Sequence, residues 1–125
     1  MLKIVRGAII GSAITLALYV VPIVHFVGPF IGGIVGASIS KISPVWAGVF
    51  GPLMALIIGL SVTVLSLVVA SVLQTFSIQL PFGESNGFSL VLGGVIAMHS
   101  LILGTLGALL GSYISARSKD QELSS

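Results

Sequence analysis

The stretch HFVGPFIGGIVGAS, residues His25–Ser38, carries four glycines and one proline. Such a run has three chemical uses: a loop that cradles a phosphate, a filter for an ion, or a helix that lies close against its neighbours. A phosphate loop needs a strand before it, a helix after it and a basic residue near the phosphate; the nearest basic residue beyond this stretch is Lys41, most of a span away. A potassium-type filter needs a Thr-Val-Gly-Tyr-Gly-like extended segment, and the chain has no such string. The helical use fits the residues. Pro29 suits a first helical position, where the amide it lacks would be unpaired anyway, and Gly32 and Gly36 then share one face.

The flanking sequence makes this a membrane helix. Of 125 residues, 56% are apolar and 6% charged, against about 25% charged in a globular domain. The apolar stretches around it reach the ~20 residues needed to cross a hydrocarbon core of ~30 Å. The expected fold is an all-α, four-helix transmembrane bundle forming one domain over residues 1–116. Its spans lie at about 4–24, 29–42, 44–76 and 88–116, and residues 117–125 form a polar tail. The basic start, Lys3 and Arg6, resembles a signal peptide, but the apolar run exceeds the roughly 7–15 residues of such a segment and lacks a small-x-small cleavage site, so it reads as a retained helix. Span one should end near Pro22. Pro52 should either kink span three or mark its true start, leaving PVWAGVF as an interfacial piece anchored by Trp46. SIQLPFGESNG, residues 77–87, is a loop by its Pro, Gly, Ser and Asn content. Span two covers only ~21 Å at 1.5 Å per residue, so it recruits flanking residues, thins the bilayer or is re-entrant.

The charges choose among these. With four crossings, Lys3, Arg6, Lys41, Arg117 and Lys119 fall on one side, while His25 and Glu84 fall on the other. A re-entrant second helix would put Arg117 and Lys119 opposite Lys3 and Arg6, against the positive-inside rule. The expected placement is therefore multi-pass in the cell membrane with both termini cytoplasmic.

Small residues recur at every fourth position: Gly7, Gly11 and Thr15; Gly32, Gly36 and Ser40; Gly51, Ala55, Gly59 and Thr63; Ser100, Gly104, Ala108 and Ser112. In lipid, helices associate mainly through van der Waals packing, which small residues promote by letting backbones approach. Glycine-zipper-like packing is thus expected at Gly7, Gly11, Gly32, Gly36, Gly51, Gly59, Gly104 and Ala108. A pore lined by glycine faces is the competing reading. VGPFIGGIVGAS and FGPLMALIIGLS also align at Gly28 with Gly51 and Pro29 with Pro52, either as an inverted repeat or as shared helix-start chemistry.

His99 is the strongly polar side chain deep in a span, and such residues are functional candidates. At 100° per residue it sits about 140° from Gly104, so a small-residue face turned inward sends His99 outward. That geometry calls for a cover: a protein partner, another copy, or a polar lipid or quinone head. The alternative is that other helices wrap that side and the imidazole bonds a carbonyl. His25 is placed at the outer end of span one, at a depth roughly 16 Å from His99, which disfavours a bis-histidine haem. Glu84 reads as solvated. With no cysteine and only three acids, no metal cluster, carboxylate pair or nucleophile with its base can be assembled, and no enzyme activity or cofactor is expected. The five basic residues form no patch for nucleic acid.

GAIIGSAITLALYVVPIVHFVGPFIGGIVGASIS (7–40) followed by WAGVFGPLMALIIG (46–59) resembles an uncharacterised archaeal family of small glycine-rich multi-span membrane proteins. The resemblance implies a first helix ending near proline, a Gly-Pro-x-x-Gly-Gly segment, a glycine-spaced third helix and an archaeal source; it implies no activity. The functional expectation is a non-catalytic accessory or assembly subunit of a larger membrane complex, respiratory or transport-related. The span-four face at His99 and Tyr113 is its contact for a partner, lipid or quinone. The alternative is a self-associating, holin-like pore.

Overall fold

The computed structural model describes residues 1–78 and 86–124. They form four helices: α1 (Leu2–Leu18), α2 (Gly28–Ile39), α3 (Pro44–Thr75) and α4 (Asn86–Ser124). The expected loop at 77–87 and Glu84 lie mostly outside the described residues.

The first helix stops six residues short of its expected end. Val21 precedes Pro22 and is steered away from helical geometry, and Pro22 has no amide to give. The last turn tightens before that point, with the Val20 amide donating to Ala17 and the Val21 amide to Leu18. Residues 19–27 then form consecutive turns. Helix α2 ends at Ile39 rather than Ile42, in a Schellman closure: the Ile42 amide donates to Ala37 at 3.2 Å and the Lys41 amide to Ser38 at 3.2 Å. Lys41 occupies the left-handed position of that motif, φ 49°, where glycine is usual. Helix α3 runs unbroken from Pro44 to Thr75 with Pro52 inside it. Helix α4 continues past the expected end of span four into the polar tail, because RSKDQELS has neither glycine nor proline to stop it.

These lengths revise the crossing count. Two segments, Pro44–Thr75 and Gly87–Ser118, are long and apolar enough to cross a membrane. Helix α1 has 17 residues and α2 has 12, so the structure has two helices of spanning length in place of the four crossings expected, and the shortness expected of the second helix extends to the first. Helix α2 rises only about 18 Å, while α3 rises about 48 Å.

Helix α2 runs antiparallel to α1, with Gly7 facing Gly36 and Ser40, and Gly11 facing Gly32. It runs parallel to α4, with Phe30 against Gly107 and Ile34 against Gly111. Helices α3 and α4 are antiparallel, with Gly51 at Thr105, Gly59 at Ala97 and Thr63 at Gly93. Around the bundle the order is therefore α1, α2, α4, α3. Phe50, Met54 and Ile58 of α3 fill the centre and are fully buried. Hydrogen bonds fix the register across helices: Ser38 Oγ donates to Gly111 at 3.1 Å, and Ser115 Oγ donates to the Ser38 carbonyl at 3.0 Å. Ser61, Thr63, Ser71 and Thr75 return their hydroxyls to carbonyls of α3 itself, which keeps a bare O–H from facing an apolar environment.

This register gathers charge at one end. Lys3 and Arg6 open α1, Lys41 follows the end of antiparallel α2, and Arg117 lies two residues beyond Ser115, which is bonded to Ser38. All four basic side chains are exposed there, and Trp46 stands in the first turn of α3 at the same end.

Candidate functional site

Helix α1 stops at Leu18 while α3 and α4 run on beside it, and the step leaves a notch that the α1–α2 turn partly roofs. The result is a cavity of about 910 Å³ lined by Leu16 of α1, Tyr19, Val20, His25 and Phe26 of the turn, Ser61, Val62 and Leu65 of α3, and Val95, Ile96 and His99 of α4. Its wall is mostly apolar, and Val20, Phe26, Leu65 and Val95 on it are exposed, so it opens to the outside.

The cavity brings together two residues that the sequence reading had kept apart. His25 and His99 line the same space, and the expected depth difference of ~16 Å does not hold. Counting His25 as the far end of a 21-residue span set it too high; the early stop of α1 brings the turn down to the middle of α4. Phe26 touches both imidazoles, with ring centroids 3.9 Å from His25 and 6.4 Å from His99, the latter edge-on at 84°. Tyr19 meets His25 edge-on at 6.4 Å. The Tyr19 hydroxyl shares a 3.1 Å hydrogen bond with Ser100 Oγ, and this ties the turn to α4.

The polar atoms differ in what they have left to offer. His25 Nδ1 lies in a short hydrogen bond to the Pro22 carbonyl; a carbonyl only accepts, so Nδ1 carries the proton and Nε2 of the neutral ring presents a lone pair. Ser61 Oγ donates to Ile57 at 2.7 Å. The half-buried His99 imidazole makes no hydrogen bond among the described residues. The outward direction derived for His99 is thus covered in part by a turn of the same chain, and the imidazole faces a cavity instead of bonding a carbonyl. Among the described residues no group of three or more His, Cys, Asp or Glu side chains gathers.

Tyr113 is not part of this site. It stands exposed on α4, about 21 Å along the helix from His99. The packing residues lie at the helix contacts already described, with differing tightness. A Cβ on Gly7 would come within 2.8 Å of the Gly36 carbonyl, and one on Gly11 within 2.7 Å of the Gly32 carbonyl. Gly32, Gly36, Gly51 and Gly59 are similarly closed to a side chain, and Ala108 is fully buried. Gly104 is different: its nearest neighbour would be Met54 Sδ at 3.5 Å, an ordinary contact. Sequence reasoning passed over Gly33 and Gly107, which hold α2 against α4. The signal was the adjacent pair Gly32-Gly33, since two neighbouring glycines face two different helices.

No protein family, curated protein or solved structure matches the chain. The site is therefore read from its own geometry.

Proposed function

We propose that the chain is a non-catalytic subunit of the cell membrane whose cavity at the α1–α2 turn holds a small apolar molecule drawn from the bilayer. The observation that carries this reading is the cavity itself: a largely apolar volume of about 910 Å³ with polar groups concentrated at His25, His99 and Tyr19, the usual composition of a small-molecule site. An imidazole without a partner in apolar surroundings is costly, and a ligand head group removes that cost.

Four helices embedded with the basic end in the cytoplasm go with this proposal. Ser100, bonded to the turn at Tyr19, stands about 25 Å along α4 from Arg117, close to the ~30 Å of a hydrocarbon core. The α1–α2 hairpin, though built of short helices, then nearly traverses the core, and the positive-inside rule puts both termini on the cytoplasmic side. The test is native mass spectrometry of the full chain released directly from its membranes. A bound small molecule is expected on the wild-type chain and in lower occupancy on Ser61→Phe, which puts a ring into the cavity. A wild-type chain without any adduct would refute the proposal.

A second reading concerns assembly. Below His99, α4 exposes Leu106, Leu110 and Tyr113 along one side, a surface that suits an accessory role in a larger respiratory or transport-related complex. Mild-detergent purification of a tagged copy should then recover a larger partner; a lone monodisperse monomer would count against it.

A further inference from the structure

We infer that the head group held between His25 and His99 is a neutral, hydroxyl-bearing aromatic ring, of the phenol or quinol class, with the apolar remainder of the molecule lying along Leu65 and Val95. This rests on the cavity-binding reading above and specifies its ligand. The argument is one of unspent hydrogen-bonding capacity. The Ser61 hydroxyl donates its proton to Ile57 and the Tyr19 hydroxyl shares one bond with Ser100, so Ser61 keeps only acceptor lone pairs, which also select a donor. His25, whose Nδ1–H donates to the Pro22 carbonyl, offers in its neutral form the Nε2 lone pair, and a lone pair in apolar surroundings selects a donor. His99 retains one N–H and one lone pair in its neutral form. A hydroxyl both donates and accepts, so it can donate to His25 Nε2 and accept from the His99 N–H; an ether or ester oxygen can only accept, and serves His99 alone.

Charge and shape narrow the class further. Among the described residues no Lys, Arg, Asp or Glu lines the cavity, and the basic end of the bundle lies about 25 Å away, so a phosphate or carboxylate head finds no lysine or arginine there. The tilted contact of His25 with Phe26 and the edge-on contact of Phe26 with His99 make an aromatic wall, and such walls favour a planar ring.

The experiment uses the full chain in lipid nanodiscs, with empty nanodiscs subtracting partition into lipid. The probes are 4-nonylphenol, its methyl ether 4-nonylanisole, and 1-decanol. The phenol should bind about tenfold more tightly than the ether, the effect of one hydrogen bond. That preference should fall to near one in His25→Asn, which keeps a short side-chain donor for Pro22 but removes Nε2, and should shrink in His99→Phe, which keeps ring shape. Circular dichroism of each variant in the same discs establishes that it is folded, and the anisole gives the internal reference for an intact cavity. Equal binding of phenol and anisole would overturn the head-group inference while leaving the cavity reading in place. Decanol binding as tightly as the phenol would overturn the aromatic class. Binding of none of the three would overturn both.

Discussion

Replacing Gly33 by alanine tests the packing account directly. A Cβ there would lie 2.5 Å from the Gly104 carbonyl oxygen, 3.0 Å from the Ala108 amide nitrogen and 3.2 Å from the Gly107 carbonyl carbon. All three are backbone atoms of α4, so no side chain can swing aside. Ordinary contact needs about 3.5 Å, and α2 must therefore back away from α4 by roughly 1 Å. A gap of that size forfeits a quarter to a half of each neighbouring contact, at about 0.1–0.2 kcal/mol per pair. For on the order of 20 atom pairs the loss is about 1 kcal/mol, and the strain of incomplete relief brings it into the usual overpacking range of about 1–3 kcal/mol. Gly94→Ala is the control: its added methyl meets nothing within 4 Å, and it should be neutral or stabilise by up to about 1 kcal/mol. Gly104→Ala, which four-residue spacing alone would rank with the critical glycines, should be tolerated. The assay is unfolding in mixed micelles followed by circular dichroism. A Gly33→Ala protein as stable as wild type, or a Gly104→Ala protein equally damaged, would refute the reasoning.

Lys41→Gly relieves a left-handed residue at the Schellman position and, after the flexibility glycine adds to the unfolded chain, should stabilise by about 0.5 kcal/mol, read as a higher thermal midpoint. Ser40→Ala removes a buried hydroxyl that has no partner among the described residues; equilibrium unfolding should show a gain of about 1 kcal/mol. Tyr19→Phe breaks the bond to the fully buried Ser100 hydroxyl and should cost about 1–2 kcal/mol in the same measurement. Because the chain has no cysteine, single-cysteine labelling is clean: an impermeant maleimide on intact cells should modify Ile23→Cys, and should modify Lys41→Cys only after the cells are opened.

The start of α2 was legible because proline is punctuation with a mechanism: Pro29 sits at a first-turn position, where the missing amide costs nothing; for α3 the same rule offered both Pro44 and Pro52, and the helix starts at Pro44 and carries Pro52 inside it. The early end of α1 was harder to read. Ile-Val-Leu-rich sequence continues through Val24, and apolarity alone does not distinguish helix from tight turns; the restriction imposed on Val21 by Pro22 is a local effect that hydropathy averages away. The candidate site was half legible. His99 stood out as a polar residue in an apolar span, but its pairing with His25 depends on where the chain reverses. A few residues' error at the end of α1 moves His25 by a large part of the membrane. Gly33 and Gly107 were missed because a stripe reading assumes one partner per helix, whereas α2 lies between α1 and α4.

With the bundle embedded as proposed above, the unequal lengths of the two hairpins have a consequence for the surrounding membrane. Helix α3 rises about 48 Å; enclosing it in a ~30 Å core would require a tilt of roughly 50°, beyond the 0–40° seen for such helices. The far end of the α3–α4 pair, with Val68, Val69 and Val72 exposed on α3, therefore stands proud of a bilayer of ordinary thickness or draws it upward. Short-chain lipids should strain this end, and longer-chain lipids should relieve it. Acyl-chain length thus becomes a control on where the cavity mouth sits relative to the water line, set by the host membrane rather than by any residue of the chain.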